Sequence, residues 1–395
     1  MEVFFKTHAQ LVRRIDAAIR RSLMDEIDWG SRLIGIKGAR GVGKTTLLLQ
    51  YAKEHFDPDD HRCLYINIDD LYFQCRKIVD FAEVFYKDGG RVLLIDNVFK
   101  QTEWSASLKR CLMTCPKLQI VFTCPSMTKL SPGNADLDGL VRSYELPGLS
   151  LREYINIMTD ADIKPVPLEK IMSRREKVWE TLLSRVPVAD YFNDYLHHGY
   201  YPSFRQNGNN AQMLIKAINT TMETDMLLTK QGDLRYLAKI KKLFYLLALA
   251  GGTSPNVSAL AKEMRTSRAT IVNYMKHLAD ARLLDIVYSI NHHYPHKPSK
   301  VLIGNTNIIN AMPTVAVDEQ VRMETFFVSA VAPRHEINQH YRDYYYFIDK
   351  RARCRVCDAN ARESMKYVLN TYYVEYNTFT GTDKTIPIWL FGFLY

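Results

Sequence analysis

Eight consecutive residues, Gly38-Ala39-Arg40-Gly41-Val42-Gly43-Lys44-Thr45, fit the pattern G-x-x-x-x-G-K-[ST], whose chemistry is the capture of phosphate. Glycines let backbone N–H groups turn inward around phosphate oxygens. A helix that begins where the loop ends points its positive dipole end at the same anion. Lys44 is then placed to reach the β- and γ-phosphates, and Thr45, followed by Thr46, to offer a hydroxyl to Mg2+, which prefers oxygen ligands. ATP with Mg2+ is the expected ligand, held by residues 38–46.

A second chemical signal lies at Arg91-Val92-Leu93-Leu94-Ile95-Asp96, an apolar strand that ends in a carboxylate and has the form of a Walker B element. Asp96 is expected to share the metal with Thr45. The next residue is normally an acid that orients or deprotonates the attacking water, and here it is Asn97. Leu118-Gln119-Ile120-Val121-Phe122-Thr123 reads as another strand, with the Thr123 hydroxyl where a γ-phosphate sensor would sit. Asp69 and Asp70, at the end of the strand Cys63 to Asp70, are alternative groups to reach a water, although turn and capping roles explain such residues as well.

These groups need a scaffold that brings strand ends together. Leu33-Ile34-Gly35-Ile36 runs into the loop and Thr45 to Glu54 leaves it as an amphipathic helix. Alternation of strands and helices predicts a mostly parallel sheet covered on both faces. Residues 7 to 24 read as a leading helix, and residues 155 to 240 as helical. At 395 residues more than one domain is expected: a P-loop domain over 1–154, a helical lid or linker over 155–240, a winged helix over 241–295 and a small α+β domain over 296–395. The third rests on a helix-turn-helix pattern. Ser258 to Met264 forms its first helix; Ser267 caps the second, whose buried stripe is Ile271, Tyr274, Met275 and Leu278. Arg268, Thr270, Asn273 and Lys276 remain outside as candidate DNA contacts, and Leu283 to Tyr288 reads as the first strand of a wing. An interdomain or protein-contact role for the same module stands as the alternative.

A net charge of +9 and a pI near 9 favour acidic partners such as nucleic acid. The longest apolar run, Leu243 to Ala250, is too short to span a bilayer. Seven scattered cysteines make no disulfide framework, which fits a reducing cytoplasm. Cys354-Arg355-Val356-Cys357 is a lone C-x-x-C, so buried or idle thiols are expected rather than zinc. His197-His198 and His292-His293 lack the spacing of a helical metal pair.

Arg32 to Lys37 leading into the loop, the Trp104-Ser105 pair, Tyr144-Glu145-Leu146-Pro147-Gly148-Leu149-Ser150-Leu151-Arg152-Glu153-Tyr154, the turn Tyr195 to Pro202 and the ending Ile386 to Tyr395 together resemble a prokaryotic AAA+ ATPase family. The resemblance implies an α/β P-loop NTPase domain of the AAA+/ASCE type, a winged helix and a C-terminal domain related to restriction nucleases. Departures from the pattern imply altered chemistry. The family's Walker B Asp-Glu is Asp96-Asn97 here, and the two arginines expected shortly after Asp136-Leu137 are Gly139 and Leu140. Arg142 and Arg152 are the candidate substitutes, though the alignment places neither there. Of the nuclease acids only Glu324 is matched; the others fall near Tyr346 and at Arg355 and Ala359, with Asp349 isolated, so no nuclease is expected. The expected function is a nucleotide-dependent switch or slow ATPase, associated with DNA through the winged helix. The alternative is a non-hydrolysing nucleotide-binding scaffold that binds DNA or protein; a protein partner or self-association is expected as an option under either reading.

Overall fold

The computed structural model describes residues 1–15, 19–205, 210–230, 236–339, 344–361, 368–382 and 384–395. The chain divides into two compact units, one of Met1–Pro147 with Thr224–Gly232, the other of Gly148–Glu223 with Asp233–Tyr395.

The first unit is built on five strands: β1 (Leu33–Gly38), β2 (Cys63–Asn67), β3 (Val92–Asp96), β4 (Gln119–Pro125) and β5 (Arg142–Glu145). All pair in parallel in the order β2-β3-β4-β1-β5. Parallel strands need crossovers, supplied here by helices Lys44–His55, Ile78–Lys87 and Trp104–Thr114, and a sheet covered on both faces is apolar throughout. Hence β3 is buried along its whole length. Because β4 lies between β1 and β3, with Ile36 opposite Thr123 and Ile95 opposite Phe122, the carboxyl ends of all three strands meet at one edge.

Of the leading helix expected over residues 7 to 24, residues 16–18 lie outside the described residues; among the described ones a helix covers Glu2–Arg14 and a separate single turn Leu23–Glu26. Packing explains the difference. His8, Ala9 and Val12 are buried on one face, whereas Arg21 donates from Nη1 to the Val42 carbonyl at 2.7 Å and from Nη2 to the Pro147 carbonyl at 2.8 Å. Those two contacts fix the chain in a non-helical path. The second strand also stops at Asn67, short of Asp70, because Asp70 Oδ1 accepts from the Tyr72 N–H at 2.9 Å and turns the chain.

The second unit begins with helix Leu151–Thr159, whose capping box pairs Ser150 with Glu153; among the described residues further separate helices follow, Asn210–Thr220 among them, while residues 206–209 and 231–235 of the stretch expected to be helical lie outside the described residues. Helices Leu237–Leu249, Val257–Glu263 and Arg268–Asp280 follow, then an antiparallel pair, β6 (Leu284–Val287) with β7 (Lys300–Ile303). Ser267 accepts from the Thr270 N–H, and Ile271, Tyr274, Met275 and Leu278 are the buried stripe, in agreement with the sequence pattern. A mixed α+β region closes the chain. Helix Glu319–Val331 packs against a sheet of β8 (Ile337–Gln339), β9 (Tyr346–Ile348), β10 (Ala352–Asp358), β11 (Tyr372–Tyr376) and β12 (Thr385–Pro387), ordered β12-β11-β10-β9-β8. Strands β10 to β12 are parallel, and β8 and β9 antiparallel. Among the described residues no helix is long and apolar enough to cross a membrane.

Candidate nucleotide site

The phosphate-binding loop forms where β1 ends. A Cβ on Gly38 would lie 2.5 Å from the Leu146 carbonyl oxygen, so only glycine lets the strand pass there. Gly43, at φ 101°, caps helix Lys44–His55 in the left-handed region that glycine enters without strain. The helix N-terminus therefore opens directly onto the loop. Lys44 Nζ donates to the Gly38 and Ala39 carbonyls, both at 2.8 Å. Burial pulls the Lys44 ammonium below the ordinary lysine range, opposed first by Asp96 and then by Asp225.

Asp96 is buried and accepts from three hydroxyls. Thr45 Oγ1 donates at 2.6 Å and Tyr65 OH at 3.0 Å, both to Oδ2, while Thr123 Oγ1 donates to Oδ1. A carboxylate and a threonine oxygen side by side near an ammonium are hard donors of the kind Mg2+ selects, so Thr45 and Asp96 fit the metal expected of them. Thr123 also accepts the Asn97 N–H at 3.0 Å, so its hydroxyl ties together both residues at the end of β3. Asn97 has φ 57°, a left-handed conformation that asparagine tolerates, and its amide donates to Asn67 Oδ1 at 3.3 Å and Asp69 Oδ2 at 3.2 Å. Asp69 is in turn paired with Lys100, whereas Asp70 serves its turn. Of the two aspartates, Asp69 is the one that accepts a hydrogen bond from Asn97.

Ser105 Oγ donates to Asp136 Oδ2 at 2.8 Å, and Gly139 and Leu140 lie on the surface beyond it. Arg142 is exposed on β5. Arg152 is buried in the second unit, where it donates to the Tyr395 and Ile163 carbonyls, each at 2.9 Å. Three participants escaped sequence reasoning: Tyr65, Lys100 and Asp225. The Asp225 carboxylate receives two bonds from the loop residue Arg40, 185 positions away, and no local pattern signals such a contact.

In the second unit, Arg268 is exposed at the start of its helix, Thr270 lies two positions on, and Asn273 and Lys276 then follow at intervals of three. Thr270 Oγ1 bonds Ser267 Oγ at 2.8 Å, Asn273 Oδ1 accepts from Tyr294 OH at 3.4 Å, and Lys276 pairs with Asp280. Glu324 is buried in an ion pair with Lys300 and also accepts from Gln320 Nε2 at 2.9 Å. Asp349 accepts from His335 Nδ1 at 2.7 Å, and the Arg355 guanidinium lies over Tyr344 and Tyr345. Cys354 and Cys357 are buried, the Cys354 thiol pushed up to about 12 by burial. Among the described residues no cluster of three or more His, Cys, Asp or Glu could hold a metal.

Residues 30–155 match the AAA domain family, and residues 189–317 match a domain of unknown function (DUF8612). Sheet order, loop geometry and the first of these matches agree in giving the first unit the P-loop NTPase fold of an AAA domain. The chain is 28% identical over 297 residues to the uncharacterized protein MJ1637 of Methanocaldococcus jannaschii, covering 70% of this chain and 61% of that relative. It thus spans under two thirds of the relative's length. Similarity to solved structures is slight. Domain III of the Thermotoga maritima replication initiation protein DnaA aligns at 20% identity over 40% of this chain and 66% of that one, with a TM-score of 0.24. A DNA polymerase III gamma subunit-related protein of the same organism aligns at 12% over 71% and 84%, with a TM-score of 0.23. Caenorhabditis elegans PCH-2 aligns at 18% over 39% and 43%, with a TM-score of 0.24. Scores that low bear on neither fold nor function here.

Proposed function

We propose that this chain binds MgATP at residues 38–46 and works as a nucleotide-dependent switch with slow hydrolysis. The observation that carries the reading is the meeting of Lys44, Thr45 and Asp96 at one edge of a parallel sheet, with a helix N-terminus facing the same space. Mg2+ held there would neutralise charge on the phosphates. Lys44 binds and orients the phosphates, Thr45 and Asp96 hold the metal, and Thr123 and Tyr65 fix the Asp96 carboxylate. Slowness follows from Asn97. Its amide cannot accept a proton, and losing a positioned base costs about 10² to 10⁴ in rate. Exposed Gly139 and Leu140, where arginines were expected, supply no cation for a transition state.

Helices Val257–Glu263 and Arg268–Asp280 with the β6–β7 pair support a winged-helix reading of this region, in which Arg268, Thr270 and Asn273 face DNA and Lys276 contributes less because Asp280 engages it. The domain limits at 154, 240 and 295 and a cytoplasmic setting belong to the same proposal.

A non-hydrolysing scaffold is the second reading, favoured by the hydrogen bonds that hold the Asn97 amide between Asn67 and Asp69. One experiment separates them: ATP affinity and turnover measured together on the wild type and Lys44→Ala. Measurable binding with slow turnover, both lost in Lys44→Ala, is the expected result. Tight binding without turnover selects the scaffold, and absence of ATP binding in the wild type overturns both readings.

A further inference from the structure

Arg40, the charged residue within the variable part of the loop, is engaged by a distant carboxylate. Its Nε donates to Asp225 Oδ2 at 3.1 Å and its Nη2 to Oδ1 at 2.6 Å, a two-pronged fit of the kind guanidinium makes with carboxylate or phosphate. The Asp225 side chain is 5% exposed and that of Arg40 30%, so this pair is largely withdrawn from water. Asp225 belongs to Thr224–Gly232, a short stretch counted with the first unit although the chain on either side of it belongs to the second. Specific contacts must offset the entropy of ordering so short a segment. Besides Asp225, Met226 is buried, and helix Met226–Lys230 packs on the turn Val98–Lys100. Lys100 in that turn pairs with Asp69, which accepts from Asn97. One segment therefore touches the phosphate loop on one side and, on the other, the turn that follows the Walker B carboxylate.

A buried carboxylate at the rim of a phosphate cradle opposes the ligand's charge unless its partner cation stays with it. Yet that cation, Arg40, is the loop's own guanidinium, and phosphate competes for it in the same two-pronged geometry. We propose that the phosphates of a bound nucleotide displace Asp225 from Arg40, so that nucleotide binding and release of residues 224–230 are one coupled event. Coupling is reciprocal: whatever holds the segment on the loop weakens the nucleotide, and the nucleotide loosens the segment. The inference rests on the ATP-binding reading above.

The test is calorimetric titration of MgATP and MgADP into wild type, Asp225→Asn, Arg40→Ala and the double variant, with hydrogen exchange of the peptide containing residues 224–230. Asp225→Asn is expected to bind ATP about 5- to 50-fold more tightly, with a smaller gain for ADP, and the double variant to show no gain over Arg40→Ala. Exchange in residues 224–230 of the wild type is expected to quicken when ATP is added. Equal or weaker ATP binding by Asp225→Asn, a gain that survives without Arg40, or exchange that ATP leaves unchanged or slows would each overturn the competition. If Asp225→Asn does not fold, wild-type exchange decides alone. Failure of the underlying reading looks different: the wild type binds no ATP, or Lys44→Ala binds it equally well.

Discussion

Asn97 shows how much one side chain alters the meaning of a site. An amide after Asp96 cannot serve as a base, and its left-handed backbone and two amide hydrogen bonds give it a structural task that asparagine performs well. Another residue, Asp285 on β6, carries a charge-state consequence. Burial pushes its carboxyl up to about 7, partly opposed by Arg282, and its Oδ2 is enclosed with no hydrogen-bond partner among the described residues. Between about pH 4 and pH 7 the unfolded chain gives up this proton while the folded chain keeps it. Stability from this group therefore falls as pH rises through that window and is level above it. Urea unfolding of wild type against Asp285→Asn should show the wild type losing ground by on the order of 2–4 kcal/mol from pH 4 to pH 7.5. Parallel pH profiles for the two proteins would contradict it.

At the level of elements, the junction of β1, β5 and the loop sets the tightest constraint. Gly38 faces the Leu146 carbonyl just beyond β5, and an added methyl group at 2.5 Å meets rigid backbone rather than a side chain that can swing away. Gly38→Ala should cost about 1–3 kcal/mol in unfolding free energy. It should also weaken ATP binding about tenfold or more, because the backbone N–H groups expected to line the phosphates must shift with Gly38. Denaturation midpoints and titration calorimetry check the two parts, and unchanged affinity would show that the loop adapts. Much was legible in advance: the glycine pattern and the apolar β1 and β3 of the first unit and, in the second unit, the helix capped at Ser267 all obey local rules of period and capping. The leading helix was misread because Arg21 binds two carbonyls contributed by residues far along the chain.

For the molecule as a whole, the net charge of +9 and the face of helix Arg268–Asp280 join in one measurable expectation. Filter binding to duplex DNA over a series of salt concentrations should give affinity that falls steeply as salt rises, and Arg268→Ala should lower the slope by about one. Salt-independent binding, or none, would assign this helix to protein contacts. The match to an AAA domain covers residues 30–155 and that over residues 189–317 is to a domain of unknown function, so the remaining regions take their meaning from such experiments.

Sequence alone determined what depends on near neighbours: the phosphate loop, the strand that ends in Asp96, the parallel α/β sheet and the buried stripe of helix Arg268–Asp280. These are written in spacing and residue type, which act over a few positions. Only the tertiary structure decided which distant groups share a carboxylate or a cation: Tyr65 and Thr123 on Asp96, Asp69 beside Asn97, and Asp225 on Arg40. Such contacts depend on where the chain returns after tens to hundreds of residues, and a single side chain meeting another across that distance leaves no periodic trace in the sequence.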